Sequence, residues 1–206
     1  HSFQIKNNVY NLSREHFINL IMSNENLLIT FIAILAGLGL TDLIHSFHRL
    51  LRKRHATKWH WIPLAHTFMS FQAMIIIWYN IRSELNSPLI ETSLGFFVWL
   101  VPIILILLVM LAVLPDQLQD DGFDLLEWYF NQHQYYFILL TLFILSYTFN
   151  RFLMFEHTNV WYLPLLLGVV YIILIFTKNY WVHAIATLLL LSFFMLNYFL
   201  QHVGYV

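Results

Sequence analysis

Six runs of predominantly apolar residues constrain this chain more than any motif in it. They fall at about 27–47, 61–81, 94–114, 134–155, 160–177 and 181–200. A helix needs about 20 such residues to cross roughly 30 Å of hydrocarbon. None of the runs alternates with period two, so helices rather than the strands of a β-barrel are expected. Only 10% of the 206 residues are charged, against about a quarter in a soluble domain. A chain of this size cannot hide so apolar a surface around one aqueous core. The expected fold is all-α: a polytopic integral membrane protein, a bundle of about six transmembrane helices over residues 27–206. Five spans plus a re-entrant piece is the alternative.

Residues 1–26 mix Tyr10, Phe17, Ile18 and Met22 with Asn11, Arg14, Glu15 and Asn19. They read as an N-terminal arm, with a short interfacial helix capped by Ser13 as one form of it. No charged n-region, apolar h-region and small-residue cleavage site opens the sequence, so no secretory signal is expected. Arg49, Arg52, Lys53, Arg54 and Lys58 make the stretch after the first run the most basic in the chain. The positive-inside rule puts that loop in the cytoplasm, and six spans then leave both termini outside. The next loop on that side carries Asp116, Asp120, Asp121, Asp124 and Glu127 and no Lys or Arg. Its segment 124–130 reads as a short amphipathic helix at the headgroups. The two loops can pair with each other, or serve as contacts for a protein partner or anionic lipid.

The first run ends in a polar island: Thr41, Asp42, His45, Ser46, His48 and Arg49. Ionisable groups in lipid are costly unless paired, so the island marks a candidate site. Asp42, His45, Ser46 and Arg49 share a helix face. Ala33, Gly37 and Thr41 form a small-residue ridge that suits close helix approach, and the first helix reads as a central packing helix. With Arg49 at the inner end and about 1.5 Å per residue, His45 lies about 6 Å deep and Asp42 about 10 Å deep. His66, with Ser70 on its ridge, enters to about 9 Å on the second helix. His183 enters a similar distance on the sixth.

Three readings of the Asp42–His45–His66–His183 set stay open. It is a hydrogen-bonded lock between helices. It is an ion or proton path, since histidine titrates near neutral pH. Or it ligates a group: His45, His66 and His183 are the candidates for a b-type haem or zinc. No cofactor is the primary expectation. The spacing of His55 and His60 matches the first histidine box of membrane desaturases, but no adjacent histidine pair exists to complete an iron site. Without cysteine there is no thiolate site and no thiol nucleophile. Nucleophile-elbow, zinc-protease, P-loop and dinucleotide motifs are absent, so the reading leans away from an enzyme. A net charge of −1 argues against nucleic acid as a partner.

Three stretches carry a resemblance. They are Gly37–Leu38–Gly39 leading to Arg49 and Arg52; Trp59–His60–Trp61 with Gln72 and Trp78; and Leu114–Pro115–Asp116 with Asp124–Phe130. Together they resemble a group of small multi-helix bacterial inner-membrane proteins. That resemblance covers about the first 140 residues. It implies a bacterial cytoplasmic (inner) membrane and brings no activity with it. Two functions are carried forward: a small oligomeric channel or transporter subunit, with the Asp/His cluster at its inner vestibule, and a non-catalytic membrane partner, scaffold or sensor. Membrane lipid and a second copy, or another membrane protein, are the expected partners.

Overall fold

The computed structural model describes residues 2–85, 87–116, 122–154 and 162–203, and among them the side chains of all but 2–25, 82, 83, 89, 162, 163 and 197–203. Six α-helices account for nearly all of it: α1 (Ser2–Arg52), α2 (Trp61–Glu84), α3 (Ser93–Ala112), α4 (Leu125–Met154), α5 (Tyr162–Phe176) and α6 (Tyr180–Val203). Four of the six, α1 to α4, contain stretches long and apolar enough to cross a membrane. The described apolar parts of the other two, Pro164–Phe176 and Tyr180–Leu196, are shorter. The expected fifth run begins at Val160, outside the described residues.

Local chemistry sets the helix boundaries. α1 meets no Pro or Gly before Gly37, so nothing stops it between Ser2 and Arg52, and Ser13 lies inside the helix rather than at its start. At 51 residues it is about 77 Å long by helix rise. The imidazole of His60 caps α2, its Nδ1 accepting from the Ile62 N–H at 3.3 Å. Pro63 is tolerated in the first turn, where its missing N–H has no intrahelical acceptor. The Thr92 hydroxyl accepts from the Gly95 N–H at 3.1 Å and starts α3. The Asp124 carboxylate accepts from the N–H groups of Leu126 and Glu127 at 3.0 and 3.1 Å. That cap starts α4 nine residues before the expected span, so 124–130 is its first turns and not a separate interfacial helix. Asn179 Oδ1 accepts from the Trp181 N–H at 2.9 Å and starts α6.

Two short parallel strands tie the loops together at one end of the bundle. β1 (Thr57–Lys58) pairs with β2 (Phe123–Asp124) in the register Thr57 to Phe123 and Lys58 to Asp124. Gly122 precedes β2 with φ of 114°, a conformation that favours glycine. Arg49 reaches Asp116 at 3.7 Å and Lys58 reaches Asp124 at 3.8 Å. The basic and acidic loops therefore pair with each other.

α2 is the central helix, packed against α1, α3, α4 and α6. Half of its apolar window is buried (50%), against 22% for α1. The expectation that α1 is central is corrected by that difference. α1 turns Ile32, Ala36, Gly39, Leu43, Ser46 and Leu50 into the bundle. At Gly39 a Cβ would stand 2.6 Å from Leu107 Cδ2, so α1 and α3 approach there. The expected Ala33–Gly37–Thr41 ridge lies off this face: Gly37 and Thr41 are exposed, and nothing lies within 4 Å of a Cβ at Gly37. Trp99, Ile106, Met110, Phe137, Leu174 and Leu190 fill the core. Many large side chains point outward, among them Leu38, Phe97, Phe152, Leu166 and Leu189. Water is a poor solvent for such an exterior.

Candidate functional site: a buried histidine–tyrosine chain

Three helices begin at the end that carries the strands, and each contributes polar groups within its first few turns. α2 supplies His66 and Ser70 at i, i+4; α4 supplies Tyr129, His133 and Tyr136 at i, i+4, i+7; α6 supplies His183 and Thr187 at i, i+4. These spacings put each set on one face. His66, His183 and Thr187 are 1%, 0% and 0% exposed. No water reaches their polar atoms from outside, so each needs a partner within the bundle.

The partners form a chain. Thr177 O lies 2.9 Å from His183 Nε2, and His183 Nδ1 lies 2.8 Å from the Tyr129 hydroxyl. That hydroxyl lies 3.4 Å from His66 Nε2, which is also 3.1 Å from Thr187 Oγ1. His66 Nδ1 is 3.5 Å from the Tyr136 hydroxyl, which in turn is 3.2 Å from Ser70 Oγ.

With both rings neutral the proton positions follow. The Thr177 carbonyl only accepts, so His183 Nε2 carries the hydrogen. Its Nδ1 then accepts, and Tyr129 donates to it. The Thr187 hydroxyl donates to the His183 carbonyl at 2.7 Å, leaving its oxygen to accept from His66 Nε2–H. Ser70 donates to the His66 carbonyl at 2.9 Å, so the single Tyr136 hydrogen points at either Ser70 Oγ or His66 Nδ1, the two acceptors beside it. Each of the other hydrogens has one place, and the Tyr136 hydrogen chooses between two acceptors.

Two voids flank His66. One of about 30 Å³ is lined by His66, Ser70, Tyr136, Tyr171 and apolar neighbours. The other, about 10 Å³, lies beside Trp128, Tyr129 and Gln132. A water needs roughly 10–15 Å³, so the larger void has room for one. His133 stands beside the chain, its ring 5.6 Å from that of His183. Its Nδ1 donates to the Phe130 carbonyl at 2.6 Å, and its Nε2 is buried with no hydrogen-bond partner among the described residues.

Of the residues expected at the site, His66, His183 and Ser70 come together. No described contact joins Asp42 or His45 to them: Asp42 is half-buried on α1 and His45 is exposed. Both sit beside the strip that α1 turns inward. Ser46 and Arg49 do meet, the guanidinium donating to Ser46 Oγ at 2.7 Å. Among the loop residues, Arg52, Arg54 and Glu127 are exposed and Lys53 is half-buried. Asp120 and Asp121 lie outside the described residues. Among the described residues, no group of three or more His, Asp or Glu is placed to hold a metal ion.

A second polar group occupies the opposite end of α2 and α4. Glu84, 7% exposed, accepts from Trp99 Nε1 at 2.9 Å and lies 3.9 Å from Arg151. Burial pushes its carboxyl above the usual range, while the Trp99 hydrogen bond and the Arg151 charge pull the other way. Sequence reasoning missed this pair, and it missed Tyr129, His133 and Tyr136. Extending α4 back to the cap at Asp124 would have aligned those three on one face. No family model, no curated protein and no solved structure matches this chain.

Proposed function

We propose that this protein is an integral membrane protein that carries protons, with the His66–Tyr129–His183 chain as the relay at one end. The observation behind this reading is that one tyrosine hydroxyl contacts both histidines, 2.8 and 3.4 Å away. A proton taken up at His66 Nδ1 makes that ring cationic, and its Nε2 then gives a proton to the Tyr129 oxygen. Tyr129 passes its own proton to His183 Nδ1, and the proton on His183 Nε2 passes to a water that has to enter beside the Thr177 carbonyl, since the ring is closed to solvent at rest. One proton enters and one leaves, and hydroxyl and ring rotation reset the chain. Histidine suits the task because one ring nitrogen can take a proton while the other gives one up.

Four helices of spanning length and an apolar exterior support membrane insertion. The basic turn at β1 supports a cytoplasmic position for the relay end, in a bacterial inner membrane. Glu84 supplies a protonatable group at the other end. Between the two lie apolar residues such as Ile106 and Phe143, where water would have to enter for conduction. A relay needs no open pore, so the reading does not depend on several copies surrounding a channel. The alternatives have less support. A docking role for the loops loses Arg49 and Lys58 to internal ion pairs. A haem between histidines finds His45 outside the cluster and voids of only about 10 and 30 Å³ beside His66.

The test is proton flux into liposomes holding a pH-sensitive dye and driven by a potassium diffusion potential. The expected result is a proton current above that of empty vesicles, unaccompanied by sodium, and lowered at least tenfold in His183→Ala. Flux equal to that of empty vesicles would defeat the proposal.

A further inference from the structure

The crevice between α1 and α2 is not used by the relay. Near the basic turn, Leu43, Ile44 and Phe47 face Leu64, Phe68 and Phe71 across a groove of about 290 Å³. Farther along the same two helices, Ala33, Gly37 and Leu40 face Met74, Ile75 and Trp78 across another of about 210 Å³. From Phe47 back to Ala33 is fourteen residues, about 21 Å of helix. One leaflet's hydrocarbon is about 15 Å deep. The small residues Ala33 and Gly37 keep the far end open.

The near end lies under a cationic turn. Phe47 packs edge-on against Trp59, ring centroids 6.5 Å apart, and Trp59 Nε1 donates to the Arg54 carbonyl at 3.4 Å. Arg49 and Lys58 are engaged by Asp116 and Asp124. Arg52 and Arg54 remain exposed, with His48 and His55 beside them and Arg54 Nε donating to His55 at 3.3 Å. Two apolar grooves in line along one pair of helices, together about 21 Å long and ending near exposed guanidinium groups, match one kind of molecule. We propose that the α1–α2 crevice holds an acyl chain of an anionic phospholipid whose phosphate sits on Arg52 and Arg54. This rests on the membrane reading above and is independent of the relay.

Native mass spectrometry of the detergent-purified chain tests it, with an equimolar mixture of phosphatidylglycerol and phosphatidylcholine. The wild type is expected to retain one lipid, phosphatidylglycerol in preference. Arg52→Gln with Arg54→Gln is expected to cut that preference by about fivefold per arginine. Gly37→Leu, at a position open enough to accept the side chain, is expected to lower retention of both lipids. Equal retention of the two lipids by the wild type, a preference unchanged in the double variant, or a dimer that leaves no lipid bound would each overturn the proposal. Membrane fractionation of the same variants checks the underlying reading separately. Loss from the membrane fraction would fault that reading, whereas lost selectivity in a membrane-bound protein faults only the lipid site.

Discussion

At Tyr129, one hydroxyl lies against two imidazole nitrogens, and its hydrogen can point at only one of them. Thr187 takes the hydrogen on His66 Nε2 and Thr177 O takes the one on His183 Nε2, so Tyr129 donates to His183 Nδ1. A buried polar pair between helices contributes about 1 kcal/mol and needs no such continuity. A network of six linked side chains beside a water-sized void is more than a lock requires. His60, just outside the span of α2, illustrates single-residue titration. Its burial lowers its pKa, and the Asp124 charge partly opposes this. A pKa depressed by folding means stability present above the unfolded value and lost as pH falls. The ring also caps α2 through Nδ1, which cannot accept once protonated. Thermal unfolding of the wild type is expected to shift downward between about pH 7.5 and pH 5, and His60→Asn, which keeps a cap, is expected to shift less. An equal shift in both proteins would exclude this role.

At the scale of elements, Pro102 inside α3 is the feature with the clearest cost. It has no N–H for the carbonyl four residues earlier, at Val98. Asn150 of α4 fills the gap, its Nδ2 donating to Val98 O at 3.2 Å and Trp99 O at 3.3 Å. Asn150→Leu is expected to destabilise the protein by about 1–3 kcal/mol, the cost of an unpaired buried carbonyl. Pro102→Ala should recover much of that loss in the double variant, read as thermal unfolding in detergent. Additive losses would rule the explanation out. Pro102 was plain in the sequence, but its partner was not, because Asn150 lies on another helix 48 positions away. That His66 and His183 stand at a similar level in the bundle was legible for the opposite reason: helix rise is constant, so counting inward from a helix end locates a residue along the helix without knowing its neighbours. The facing direction of α1 was not legible. Its inward strip is set by Gly39 against Leu107, and Gly37 looked equally suited to the task.

On the scale of the whole molecule, the loops, the starts of α2, α4 and α6 and the proposed relay share one end, and Glu84 with Arg151 and Trp99 marks the other. The charges of the basic and acidic loops left their pairing open beside contact with a partner or lipid, and the strands bring the pairing about. An apolar exterior surrounds a core with two buried polar ends, the arrangement on which the proposed relay rests. The most direct measurement is liposome proton flux for Tyr129→Phe beside the wild type. The substitution keeps the ring that packs on His66 and His183 and removes only the hydroxyl that links them. The account expects flux to fall at least tenfold, with the fold and its thermal midpoint close to those of the wild type. Undiminished flux in a folded Tyr129→Phe protein would contradict the relay.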